Sequence, residues 1–268
     1  MAAENQPALA LEEVVYNVAL GSNMDGEKLR SRNVGDGRRI TPLEDGVPCR
    51  VPNWELSFNF LFMPPIEPVM AGAVEKPNQV LHGVLWKLTR EDYAILARTE
   101  GCGKSTSVYE EREVLAYPYG SEKPVKALIF ALRKPEVVPP LLYPSQRYKS
   151  MMIIGAKNAQ LDHEFVHHLT DMRAARRCHR VVRVISRFTL TALFWLYSYN
   201  GPLLWLRKYF KPLLARTYSR RERALRDNHH VKANFWNGVM IAVMSPFTIL
   251  GFFRAVYKRR NILQMLQG

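Results

Sequence analysis

The sequence predicts an α+β domain joined to a basic, α-helical C-terminal region. Three observations carry this. Strand-like and helix-like stretches are interspersed over about the first 170 residues without the strand–helix–strand rhythm of a parallel sheet. Charge is divided unevenly: residues 171–268 hold 19 Lys and Arg against three acids (Asp171, Glu222, Asp227), a net charge of +16, whereas residues 1–170 hold 19 bases and 21 acids. Residues 188–206 and 233–253 carry no formal charge at all. The expected organisation is a tail over 1–13, a domain over 14–170 and a helical region over 171–268.

The elements follow in order. VVYNVAL (14–20) is a β-branched apolar run and predicts a buried strand. It enters Gly-Ser-Asn and a short helix over MDGEKLRSRN, where Ser22 and Asp25 are spaced as a capping box. Residues 33–53 read as a loop, WELSFNFLF (54–62) as a strand, and the Pro-punctuated MPPIEPVMAGAVEKPN (63–78) as a second long loop. VLHGVLWKL (80–88) is the next strand. The helix after it starts at a Thr89–Asp92 capping box and stops at Gly101. SVYEEREVLAY (107–117) and VKALIFALR (125–133) complete the strands, and two helices are expected at about 146–159 and 163–177.

One motif invites a sharp reading and does not sustain it. His163-Glu164-Phe165-Val166-His167 spells the H-E-x-x-H of zinc proteases. On a helix, Phe165, Val166, Leu169 and Met172 gather on one side, and both histidines fall on the opposite, solvated face. No third ligand follows at a usable spacing, since residues 170 and 173 are Thr and Arg and the next fifty residues are basic. The reading is a solvated helix face, with no metal site.

Composition adds limits. Cys49, Cys102 and Cys178 form no C-x-x-C pair, and an odd count argues against a disulfide framework and suits a reducing compartment. The opening MAAENQPALALEE is acidic, lacks a long apolar core, and reads as neither a secretory signal nor a transit peptide.

The chemistry lies in four separated pieces: VALGSNM (18–24), HGVLWKL (82–88), ARTEG (97–101) with Tyr109 after it, and PSQRYKSMMIIGAKNAQL (144–161). In this order the chain resembles the γ-glutamylcyclotransferase family over about residues 14–170. That family is marked by a strand ending in YGSN, a GxVW strand, a helix ending in EG, and a late S-x-x-Y…GA(K/R)…GL segment. The resemblance implies a mixed β-barrel with packed helices. It also implies release of 5-oxoproline from γ-glutamyl amino acids by attack of the substrate's own α-amine on its γ-carbonyl. Because the nucleophile is tethered, no water, metal or cofactor is required. Glu100 matches the general acid/base. The 17–23 turn, Asn17, Val18, Ala19, Leu20, Gly21, Ser22 and Asn23, matches the glutamyl cradle, and Tyr109 and Tyr148 match pocket tyrosines. Two residues are not chemically neutral: the family's Tyr before GSN is Leu20, and a strand tyrosine is Phe130. The alternatives left open are a γ-glutamylamine cyclotransferase and a membrane-anchored binding protein without activity. A GSN turn rather than GSL favours γ-glutamyl amino acids over glutathione.

A Glu at a helix C-terminus faces the negative end of the dipole, which predicts a carboxyl held toward neutrality. The tail predicts membrane association through 188–206 and 233–253. Both stretches are about the length of a bilayer span and are flanked by Arg and aromatic residues, leaving the catalytic domain facing the cytosol. A nucleic-acid partner is not expected, because long uncharged stretches do not suit a phosphate-tracking surface.

Overall fold

The computed structural model describes residues 14–32, 38–102, 107–135, 138, 141–178, 180–198 and 204–257. The chain divides into two compact units. One comprises Met1–Ser57, Ala71–Pro135 and Lys149–Met172, the other Phe58–Met70, Glu136–Tyr148 and Arg173–Gly268. The expected tail over 1–13 lies outside the described residues.

Five strands close a barrel in the order β1-β3-β2-β4-β5, with a further pairing of β3 to β5. They are β1 (Val14–Ala19), β2 (Val47–Met63), β3 (Glu67–Thr89), β4 (Tyr109–Pro118) and β5 (Val125–Leu132). β1 lies between antiparallel β3 and parallel β5, so Val18 stands opposite both Leu85 and Ile129. Val18, Val51, Leu81, Leu85 and Ile129 form the buried interior with Trp54 and Val114. Each such aliphatic side chain contributes about 1.5–3 kcal/mol on burial.

Helix α2 (Arg90–Thr99) begins where the sequence says it should, with the Thr89 side chain accepting from the Asp92 N–H. It also ends there. Gly101 sits at φ +75°, and the Cys102 N–H reaches back to the Ala97 carbonyl, a left-handed stop that favours glycine. Helix α1 (Gly26–Arg30) departs from expectation: its cap is Asp25, whose side chain accepts from Glu27 N–H. Ser22 instead lies inside a 3-10 turn over Gly21–Met24.

The second expected loop, 63–78, is mostly strand. Pro64, Pro65 and Ile66 make the turn, and β3 begins at Glu67. Glu67–Ala73 are buried at every position but Met70, so this half of the strand has no apolar–polar alternation to read, and Pro68 and Gly72 further disguise it. The expected loop over 33–53 likewise gives way to β2 at Val47, and residues 33–37 lie outside the description.

Helix α3 (Gln146–Asn158) starts at Ser145, whose Oγ accepts from the Tyr148 N–H. Ser145 is itself clamped by buried Glu67, which accepts from its N–H at 2.7 Å and its hydroxyl at 2.5 Å. Burial raises the Glu67 carboxyl, opposed by the two Ser145 bonds and by Arg147. Helix α4 (His163–Asp171) is shorter than expected, because the Lys149 ammonium binds the Thr170 and Met172 carbonyls and Met172 turns extended.

The second unit is built on α5 (Arg180–Ser198), α6 (Leu204–Arg226) and α7 (His230–Tyr257). Val182, Leu214, Ala215, Tyr218, Met240 and Met244 are buried together. Among the described residues, no helix is long and apolar enough to cross a membrane. The expected membrane stretch at 233–253 is thus not supported as a span, and the side chains of its residues 246–253 lie outside the description. Its Ala233, Met240 and Met244 are core residues, and Thr189 and Ser186 of α5 direct their hydroxyls at the Met244 carbonyl and sulfur. This part of the run packs against α5. The other stretch, 188–206, includes residues 199–203, which lie outside the description.

Candidate functional site

The 3-10 turn, the end of α1 and the end of α2 bring three polar side chains into one ring. The Asn23 amide donates to Glu100 Oε1 at 2.8 Å. The Arg32 guanidinium lies 2.6 Å from the same oxygen. Arg32 Nε donates to Asn23 Oδ1 at 2.8 Å, which fixes the amide with its NH2 toward Glu100. The ring is sheltered: the Arg32 and Glu100 side chains retain 20% and 16% of their accessible surface. The third guanidinium nitrogen, Nη1, approaches Thr99 Oγ1 at 3.3 Å. Among the described residues, no hydrogen bond or ion pair ties Glu100 Oε2, so the carboxylate is anchored by one oxygen and presents the other.

The barrel supports this ring from behind. The Trp86 indole N–H donates to the Asn23 carbonyl at 3.1 Å in a buried bond. Gly155 of α3 lies against the same turn: a Cβ there would stand 2.8 Å from the Asp25 nitrogen and 3.1 Å from the Met24 carbonyl carbon. The G-A pair of the late motif is therefore a packing requirement, with Ala156 fully buried beside it. The Leu20 side chain makes no cap hydrogen bond to the 3-10 turn, which starts after that extended residue.

The remaining expected residues divide by what their side chains touch. Asn17 is buried and donates to the Leu128 carbonyl, joining β1 to β5. Val18 and Ala19 are buried, while Leu20 packs at the margin of the barrel core. Gly21 opens the turn, and Ser22 is half-buried within it. Tyr109 is buried and its hydroxyl donates to the Ala71 carbonyl at 2.7 Å. Tyr148 is buried in the other unit, in the first turn of α3. Phe130 stacks on Tyr93 with ring centroids 5.9 Å apart, so a phenol stands beside the position where the family's tyrosine is absent. Burial, then Glu111, raises that phenol above its ordinary value.

Arg32 and Trp86 were not singled out by sequence. Trp86 had a signal, its place in HGVLWKL, but Arg32 sits in a charge-rich stretch with no pattern to distinguish it. The two histidines of the H-E-x-x-H are exposed on α4, as the helical periodicity predicts, and His167 pairs with Asp171 at 3.1 Å. Thiolate chemistry has little footing. Burial pushes Cys102 up to about 12, with Glu111 and Glu100 adding to it and Arg133 opposing, and burial likewise pushes Cys49 to about 12.

Comparisons with known proteins agree with this architecture. Residues 80–169 match the AIG2-like family. Two solved structures share the fold. One is an uncharacterized protein from Homo sapiens, with a TM-score of 0.52 and 21% identity, covering 62% of this chain and 92% of that one. The other is a gamma-glutamyl cyclotransferase, with a TM-score of 0.52 and 20% identity, covering 62% of this chain and 92% of that one. No curated protein matches the sequence at a significant level. The expected resemblance is thus found over part of the chain, and the closed barrel with its helices has the γ-glutamylcyclotransferase-like fold.

Proposed function

We propose that this chain is a γ-glutamylcyclotransferase, releasing 5-oxoproline and an amino acid from γ-glutamyl amino acids. The observation that carries the reading is the Glu100 carboxylate, held at Oε1 by Asn23 and Arg32 and unbonded at Oε2 among the described residues. The family match and the shared fold support the reaction class. Glu100 Oε2 takes a proton from the substrate's α-ammonium. The freed amine attacks the γ-carbonyl carbon, forming the C–N bond of the lactam. As the tetrahedral centre collapses, the bond to the leaving nitrogen breaks and Glu100 returns the proton to that nitrogen; the second proton of the attacking nitrogen passes the same way, so the lactam keeps one N–H and the amino acid leaves as its ammonium. Tethering supplies much of the acceleration through effective molarity, and one carboxylate serves both transfers. Backbone N–H groups of the 21–24 turn suit the developing oxyanion.

The test is 5-oxoproline release from γ-glutamyl-alanine by the full chain in EDTA, with Glu100→Gln alongside. The expected outcome is product from the wild type and a loss of at least about a hundredfold in the variant. A folded wild type that binds the substrate and forms no product would instead support a binding protein. The observation favouring that second reading is Phe130, which places no hydroxyl where it stacks on Tyr93.

A further inference from the structure

The helical unit carries an outward face that its own packing leaves uncovered. On α7, Val231, Asn234, Phe235, Gly238, Ala242 and Ser245 fall on one side of the helix, and all are exposed. Val231 keeps 85% of its surface and Phe235 keeps 63%. A Cβ at Gly238 would meet nothing within 4 Å, and the Ser245 hydroxyl is turned back to the Ile241 carbonyl. For 15 residues, about 20 Å of helix, this side bears no charge.

A basic stripe runs next to it. Arg216, Arg220 and Arg223 are exposed on one face of α6, at the spacing of successive turns. The Arg220 guanidinium lies 4.9 Å over the Trp236 ring, which brings the two stripes side by side. Among the described residues, no carboxylate pairs with these three arginines or with Lys232, although Arg226 close by is paired with Asp227. Exposed apolar anchors beside uncompensated cations are the chemistry of an interfacial surface.

We propose that this double stripe docks the protein on an anionic lipid surface. Val231 and Phe235 enter the boundary between headgroups and acyl chains. Arg216, Arg220, Arg223 and Lys232 meet the anionic headgroups. The helices lie on the bilayer and do not cross it, in keeping with a core that already holds Met240 and Met244. A second copy of the chain is a poorer occupant of the same face, because a symmetric contact would set one arginine stripe against its equal in a region of net charge +16. A nucleic acid would use the arginines and leave Val231 without a role.

The experiment is co-sedimentation of the full chain with phosphatidylcholine vesicles containing 30% phosphatidylserine, and with phosphatidylcholine alone. Binding to the anionic vesicles, weakening with salt, is the expected result. The R216Q/R220Q/R223Q variant and the V231D/F235D variant should each lose at least tenfold in vesicle affinity while keeping wild-type helicity and melting temperature. Three outcomes overturn the proposal. One is equal binding to neutral vesicles or none to either. Another is wild-type binding by the V231D/F235D variant, with an oligonucleotide competing the vesicles away. The third is a self-associating chain that V231D/F235D renders monomeric and that ignores vesicles.

Discussion

Arg32 and Glu100 meet at 2.6 Å, and the same guanidinium holds the Asn23 carbonyl oxygen of its side-chain amide at 2.8 Å. One arginine therefore orients both the proposed base and that base's hydrogen-bond donor. Arg32→Gln should lower kcat by about 10- to 100-fold through misplacement of the carboxylate, with KM changing much less. The pair is partly sheltered, so the stability cost should stay near 1 kcal/mol. Steady-state kinetics alongside a thermal melt separates the two effects. A matched loss in kcat and melting temperature would mean that Arg32 only supports the fold.

Gly155→Ala should act on the site from behind. The added methyl would press on the Met24–Asp25 backbone, which cannot move away as a flexible side chain could. A cost of about 1–3 kcal/mol is expected from overpacking, together with reduced activity from a displaced Asn23. Chemical denaturation and γ-glutamyl-alanine turnover check it.

The pH dependence of stability should carry a contribution from His82. Its ring stacks on Phe165 and shares a hydrogen bond with the Tyr119 hydroxyl, which also accepts from the Asp162 N–H at 3.1 Å. Burial lowers the imidazole below its ordinary 6.5, with Asp162 pulling it up and Arg50 pushing it down. The unfolded chain therefore binds the proton more readily than the folded one. The stabilisation is present above the unfolded value and is lost as pH falls through and below it. His82→Phe keeps an aromatic ring against Phe165 and cannot titrate, so its melting temperature should fall less than the wild type's between pH 7.5 and 5.5.

Cys102 should resist alkylation although it is only half-buried. With its thiol pushed up to about 12, it holds almost no thiolate at pH 8. Iodoacetamide should modify it at least about tenfold more slowly in the native chain than in urea, read by intact-mass spectrometry.

Strands β1, β4 and β5, the two ends of α2 and the place of Glu100 at its C-terminus were legible because each has a local cause. Thr89 caps, Gly101 stops, and β-branched runs alternate. The first half of β3 was not, since Pro68 and Pro77 within it and Pro64 and Pro65 just before it give the stretch the composition of a loop, and its near-continuous burial leaves no alternation to read. The 233–253 stretch is ambiguous for a different reason. An apolar helix packed among other helices and one crossing a bilayer share a composition, and sequence alone does not show that Met240 and Met244 are buried against neighbouring helices. Arg32 was invisible because its meaning comes from Asn23 and Glu100, and the second of these is far away in sequence.

That separation has a kinetic consequence. The Asn23–Glu100 bond joins residues 77 positions apart, the Trp86–Asn23 bond 63, and the Asn17–Leu128 bond 111. Contacts of this span form slowly, because loop closure must be achieved before they stabilise anything. Helices and local turns will return early when the denatured chain is diluted into buffer, but the ring around Glu100 waits for barrel closure. Recovered turnover is therefore the last signal to appear in refolding, and a preparation with native-like helicity can still be catalytically silent.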